Sequence, residues 1–147
     1  MTVSSLSVKN SYNADSTTTS FAYTFPIHSV NELTVILRAA NGTETIQTLT
    51  THYSIVDNGA SGGQVNFVTA PATGVAVVLL RDTNLTQETD YISNDPFPAE
   101  THEAALDKLT LQQQELQEEL NRALKISRSN DITSSEIVQT ATARAGK

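Results

Sequence analysis

Residues 99–126 carry a hydrophobic repeat with alternating spacings of three and four residues, and this repeat most constrains the fold. The segment contains neither Gly nor Pro. On a heptad repeat its a and d positions are His102, Leu106, Leu109, Gln113, Leu116, Leu120 and Ala123. So narrow a stripe is typical of a coiled-coil seam, whereas a helix that covers a globular core has a broader apolar face. We therefore predict one long helix, from Ala99 to about Ile126, that associates with copies of itself.

Charges at the two ends of the predicted helix favour it. Glu100 and Glu103 lie in the first turn and Arg122 and Lys125 in the last, which complements the helix dipole. Gln113 occupies an a position, where a polar residue costs stability but can fix register and oligomer state. Three copies could satisfy one another's amides on a threefold axis. The alternative is a displaced heptad that leaves Gln113 merely exposed.

Short β patterns fill residues 21–81. Phe21, Tyr23 and Phe25 alternate with small or polar residues, which is the period of a half-buried strand. Asn41-Gly42 is a strong hairpin signal, with a return strand expected at 46–49. Ser and Thr supply 35 of the 147 residues, a composition that favours strands. We predict about six strands in a small antiparallel sandwich or open barrel, with the apolar run VAVVLLR as its central strand.

The sequence divides into five segments. They are an extended or loosely ordered arm (1–20), a β-rich head (21–81), an acidic connector (82–98), the coiled-coil helix (99–126) and a polar tail (127–147). Pro96 and Pro98 each fix φ and lack an amide donor, so we expect an elbow that stops the sheet and sets the angle of the helix. Because the tail ends at Ala-Gly-Lys without a closing element, we expect a shaft to follow it.

The charge distribution excludes several classes of function. Residues 82–121 carry a net charge of −9 within a chain of −7, which argues against nucleic-acid binding, since phosphate contacts need clustered Lys and Arg. The chain has no cysteine for a disulfide or a thiolate metal site. No stretch approaches the roughly 20 apolar residues of a membrane span. We therefore expect a soluble protein that is made in the cytoplasm.

No constellation in the sequence predicts catalysis. His102-Glu103 matches the start of a zinc-protease HExxH helix, but position 106 is Leu, so the second ligand is missing. The acids of residues 88–95 do not follow the spacing of a calcium loop. The Gly-rich loop 57–64 lacks the Lys-Ser/Thr of a phosphate loop. We predict no catalytic residue, no metal site and no cofactor, and hence not an enzyme.

Two neighbouring segments carry a family resemblance. LLRDTNLTQETDY followed by NDPFPAETHEAALDKLTLQQQELQEEL resembles the N-terminal attachment domain of tail fibres and tailspikes from short-tailed, podovirus-type bacteriophages. The similarity continues upstream in FAYTFPI, ELTVIL, THYSIV and GGQVNFVTAPATGVAVVLLR, and covers about residues 20–126. Each motif is weak by itself, and their combination is specific.

The resemblance implies a homotrimer in the virion tail. Three β heads would gather on a threefold axis, feed a parallel coiled coil and dock on the tail adaptor and nozzle proteins, in support of host adsorption. Receptor binding would lie in C-terminal domains that this chain lacks. The chain would be a truncated fibre, a stand-alone adaptor or a fragment. We expect the contacts with the tail to involve Phe21, Tyr23, Phe25, Arg81 and Tyr91.

A carbohydrate-binding β-sandwich displayed on a coiled-coil stalk is the alternative. Such a protein needs exposed aromatic rings on one face to stack on sugars. The chain has only eight Phe and Tyr residues and no Trp, and most of the eight fit inward strand positions. The composition therefore favours the structural virion protein over the lectin.

Overall fold

In the computed structural model, the described residues form seven strands followed by a long helix. The structure describes residues 3, 6–57, 61–87, 89–90, 96 and 98–145, with side chains as far as Lys125. The strands are β1 (Lys9–Asn13), β2 (Ser20–Tyr23), β3 (Leu33–Arg38), β4 (Glu44–Ile46), β5 (Tyr53–Asp57), β6 (Gly63–Phe67) and β7 (Ala76–Arg81). A short 3-10 helix (Val30–Glu32) leads into β3, and helix α1 runs from Ala99 to Ala145.

The strands form two sheets in which all neighbours are antiparallel. One sheet has the order β1-β7-β3-β4 and the other has the order β2-β6-β5. Strand β7 lies between β1 and β3, so the prediction of a central strand at VAVVLLR is confirmed. The prediction of antiparallel β structure followed by a long helix is also confirmed.

The two sheets share one hydrophobic core. Alternation along each strand points one set of side chains inward, and an aromatic cluster forms among them. Phe21 meets Phe67 edge to face at a centroid distance of 5.7 Å, and Tyr23 lies 5.4 Å from Phe25. The buried set is Ala14, Phe21, Tyr23, Phe25, Ile27, Leu33, Val35, Tyr53, Val65, Phe67, Val77 and Leu79. A few aromatic residues are enough to build this core, because five of the six described Phe and Tyr residues lie in it.

The hairpin predicted at Asn41-Gly42 joins β3 to β4. Gly42 has a φ of +88°, which a glycine adopts without steric cost, and the Ala39 amide donates to the Thr43 carbonyl at 2.8 Å. Arg38 pairs with Glu44 in the strand register and forms an ion pair with it. The return strand is Glu44–Ile46, which is shorter and earlier than the predicted 46–49.

The N-terminal arm predicted for residues 1–20 contains strand β1 of the four-stranded sheet. Strand β1 pairs with β7 along its full length, and Val8 and Ala14 on either side of it are buried. The Tyr12 hydroxyl donates to the Ala22 carbonyl at 2.6 Å and links β1 to β2. The polar sequence KNSYN concealed this strand, because its side chains are at most half-buried.

Helix α1 begins at Ala99 as predicted and continues past the predicted end near Ile126 to Ala145. The Pro98 carbonyl accepts the first helical hydrogen bond, from the His102 amide at 3.1 Å. Most of the predicted polar tail therefore belongs to the same helix. Ser, Thr and Asn lower helix propensity only modestly, and no Gly or Pro interrupts residues 127–145. The chain divides into two compact units, residues 1–115 and 116–147.

Two glycines with positive φ provide a matched test of the head. A Cβ at Gly62 would overlap the carbonyl oxygen of Tyr23, whereas a Cβ at Gly42 would meet no atom within 4 Å. We expect Gly42→Ala to lower the free energy of unfolding by about 1 kcal/mol, the cost of a left-handed alanine. Gly62→Ala adds a backbone clash and should cost at least about 2 kcal/mol more. Denaturant unfolding at a fixed protein concentration measures both, and equal losses would contradict the close packing at Gly62.

Candidate assembly interface

The first part of α1 packs against the β head through a buried face. Leu111 is fully buried and Asp107 is 9% exposed, one helical turn apart. Burial of a leucine stabilises a fold by about 1.5–3 kcal/mol. In the heptad frame neither residue occupies an a or d position. The head therefore binds a different face of the helix from the predicted seam.

A buried arginine at the end of β7 joins this helix face to the head. The Arg81 guanidinium donates from Nε to Glu115 Oε1 at 2.7 Å and from Nη2 to Gln114 Oε1 at 2.9 Å. Nη2 also donates to the Leu111 carbonyl at 3.3 Å. The guanidinium carbon lies 5.9 Å from the centroid of the Phe25 ring. Arg81 thus contacts both the core and two turns of the helix.

Glu115 receives further hydrogen bonds from the chain that follows β7. The Thr83 amide donates to Oε2 at 3.0 Å and the Thr83 hydroxyl donates to Oε1 at 2.6 Å. The Glu115 side chain is 17% exposed, whereas that of Arg81 is fully buried. Compared with apolar side chains of similar size, a buried ion pair of this kind contributes little net stability. Loss of one partner, however, leaves the other charge buried and unpaired. We call Arg81, Thr83 and Glu115 the helix-head lock.

The connector follows the helix closely after Thr83. The Gln112 amide donates from Nε2 to the Asn84 carbonyl at 2.8 Å, and the Lys108 ammonium donates to the Thr86 carbonyl at 2.6 Å. Successive connector residues therefore pair with successively earlier helix residues. The first part of the predicted turn-rich connector is instead an extended segment that runs antiparallel to the helix.

The residues of the predicted elbow are exposed. Pro96 and Pro98 both lie at the surface, and Pro98 immediately precedes the helix. Their role in setting the angle of the helix stays a prediction. Within the described chain, the contacts that fix the start of the helix on the head are those of the lock and of the extended connector.

Four of the five residues predicted to contact the tail lie inside the head. Phe21, Tyr23 and Phe25 belong to the hydrophobic core, and Arg81 belongs to the lock. Tyr91 lies outside the described residues. A buried side chain shapes the head and presents no surface to a partner, so these positions support attachment only indirectly. Their part in tail attachment stays a prediction.

All seven predicted seam positions are exposed in the described chain. His102, Gln113 and Ala123 are exposed, and the leucines at positions 106, 109, 116 and 120 are between 51% and 65% exposed. Leucine at such exposure is costly in water unless another surface covers it. The seam itself stays a prediction, because it requires other copies of the chain.

The sequence analysis missed the residues that hold the helix on the head. Leu111 carries the signal that could have identified them, because it is the single leucine of residues 106–120 that lies off the a and d positions. A second apolar face on a coiled-coil helix indicates a second packing partner. Thr83 and Glu115 carry no comparable signal, since their pairing depends on the distance between β7 and the helix.

Three groups in the head have perturbed pKa values. The Thr18 amide, the Thr18 hydroxyl and the Thr17 amide donate to the Asp15 carboxylate and lower its pKa to about 2. Burial raises the pKa of Tyr53 above its usual range. Burial also raises the pKa of Tyr23, and its hydrogen bond to Asp57 adds to the shift. All three groups stabilise the head in their ordinary ionisation state near neutral pH.

The described residues contain neither a metal-binding cluster nor a membrane-spanning helix. No group of three or more His, Cys, Asp or Glu residues could hold a metal ion there. No helix in that part of the chain is both long and apolar enough to cross a bilayer.

Comparison with known proteins confirms the resemblance that the sequence motifs indicated: the chain is similar over most of its length to a bacteriophage tail spike protein. Over 128 residues, or 85% of its length, it is 38% identical to the tail spike protein of Salmonella phage epsilon15. The chain spans 12% of that protein. No family model matches the chain.

Removal of one partner of the lock should destabilise the head. We expect Glu115→Ala to lower the free energy of unfolding by about 2–4 kcal/mol, because it leaves the Arg81 guanidinium buried without its carboxylate. Glu119→Ala removes an exposed carboxylate from the same helix and should change it by no more than about 0.5 kcal/mol. Denaturant midpoints at one protein concentration compare the two variants, and similar values would show that the lock does not stabilise the fold.

The buried tyrosines predict a loss of stability at alkaline pH. Their pKa values are raised in the folded state, so their contribution is fully present below the unfolded pKa of about 10 and declines as pH rises above it. We expect the unfolding midpoint to fall above a pH of about 10 and to fall less steeply in Tyr53→Phe. Identical pH profiles for the two proteins would contradict a role for the Tyr53 ionisation.

Proposed function

We propose that this chain forms the base of a bacteriophage tail spike. In this role it is a structural, non-enzymatic protein of the virion tail. Its β heads attach the spike to the tail adaptor and nozzle proteins, and this attachment supports host adsorption. The identity with the epsilon15 tail spike protein carries this proposal. Receptor recognition belongs to C-terminal domains of such a spike, as the family resemblance implies.

The exposed seam supports self-association of the helix, and the family resemblance implies that the assembly is a parallel trimer. Because the four leucines of the seam are 51% to 65% exposed, full burial of each would add roughly half of the value for a whole leucine side chain, or about 1–2 kcal/mol per copy, which a small β head can use. The head already occupies the face of the helix that carries Leu111. The seam face stays available to other copies, so one helix serves both the head and the stalk.

The distribution of aromatic rings favours this proposal over a carbohydrate-binding role. Six of the eight Phe and Tyr residues are described, and none of these six is exposed. Five lie in the core, and the Tyr12 hydroxyl is bonded to the Ala22 carbonyl. The described part of the head therefore offers no exposed ring on which a sugar could stack.

The trimer is tested by a charge on the seam. Wild-type protein should have three times the mass of the chain by light scattering at micromolar concentration. Leu116→Asp should dissociate the trimer, because it would bring three carboxylates together at a d position. Asn121→Asp adds a charge to the same helix off the seam and should leave the mass unchanged. A stable wild-type monomer, or an unchanged mass for Leu116→Asp, would contradict the seam.

Attachment is tested with purified tail components. We expect the chain to be retained by immobilised tail adaptor and nozzle proteins from a short-tailed phage whose spike is related to it, and to give no signal on a glycan array. Leu116→Asp should be retained less, because separate heads lose the avidity of the trimer. Glycan binding without retention by the tail proteins would support the carbohydrate-binding alternative instead.

A further inference from the structure

A groove of about 350 Å³ lies between the connector and the first turns of the helix. Its wall includes Leu109, which is also a predicted seam residue. Leu85 lines the groove from the connector side and is 80% exposed, more than any leucine of the seam. Ala104 and Ala105 form its floor on the helix. The groove is thus an apolar surface that continues directly from the predicted seam.

Hydrogen bonds fix the connector wall of this groove. Asn84 lies beside Gln112 and Thr86 lies beside Lys108, so Leu85 is held level with residue 110 of the same helix. The side chains of Gln112 and Lys108 donate these bonds to backbone carbonyls of the connector, so they hold the backbone on both sides of Leu85. Its exposure is therefore a feature of the folded head.

The connector covers one particular flank of the seam. In the heptad frame Lys108 is at c and Gln112 is at g, and these positions lie side by side on the helix. In a parallel coiled coil the g flank of each helix faces the e flank of its neighbour. At this level the e positions of the neighbour are Glu103 and Thr110. The connector of one copy is therefore placed against the helix of the next.

Charge in the groove agrees with such an occupant. Lys108 and His28 line it, and none of the lining residues that the structure describes is a carboxylate. The first turns of the helix in a second copy carry Glu100 and Glu103. An acidic helix surface is thus complementary to this groove, although residues 82–121 carry a net charge of −9.

We infer that the groove is an intersubunit contact in which Leu85 packs against the e flank of a second copy's helix at Thr110. This inference rests on the proposed trimer and extends its interface from the helix to the connector. Each connector is then held between its own helix and that of the neighbour. Two contacts then hold each head on the stalk: the helix-head lock within one chain and the Leu85 contact between two chains.

The absence of cysteine from the natural chain permits a direct test by crosslinking. Leu85→Cys and Thr110→Cys are produced as separate chains in the same cells, so that any disulfide between positions 85 and 110 must join two copies. Both residues are exposed, so neither change should disturb folding. Val68→Cys, at a valine that is 72% exposed, replaces Leu85→Cys in the control. Leu109→Cys alone serves as the positive control for the seam.

The expected result is a disulfide-linked dimer on a denaturing gel for the 85 and 110 pair and none for the 68 and 110 pair. A linked dimer for Leu109→Cys without one for the 85 and 110 pair would overturn the groove contact and leave the trimer standing. Monomeric mass with no link in any sample would overturn both the groove contact and the trimer.

Discussion

The ion pair between Arg81 and Glu115 connects the β strands of this protein to the first part of its helix. It joins the last residue of the central strand to the fifth turn of the helix, and Thr83 donates two further hydrogen bonds to the same carboxylate. An arginine with no exposed side-chain surface is stable only with its charge and donors satisfied. The pair therefore specifies one docked arrangement of helix and head, because a rotation of the helix would remove the carboxylate and leave the guanidinium buried.

The lock also determines which side of the helix is available for assembly. With Leu111 and Glu115 directed to the head, the leucines of the seam are left exposed. Off-heptad residues thus bind the head, and the heptad residues stay available for the trimer proposed above. This arrangement suits a small β domain, since burial against its own helix and association with other copies both add to a limited core.

Much of the fold was predictable because it depends on local periodicity. The alternation at Phe21, Tyr23 and Phe25, the Asn41-Gly42 turn and the apolar run of β7 each indicate their element without knowledge of the rest. Strand β1 escaped prediction because KNSYN has no apolar alternation and is stabilised by its pairing with β7. The end of the helix was missed because Ser, Thr and Asn, which are frequent in residues 127–145, lower helix propensity. Their effect is too modest to end the helix.

The sequence by itself determined that a β-rich region precedes one long helix, that the helix starts at Ala99 and that it carries a narrow heptad pattern, since each follows from spacing along the chain. Only the tertiary structure decided the role of Arg81. The sequence analysis predicted that this residue contacts the tail, whereas the fold buries it against Glu115. It also decided that the connector lies along the helix and holds Leu85 at the surface. The physical reason is that these contacts join residues 22 to 34 positions apart, and their energies depend on distances that no local pattern encodes.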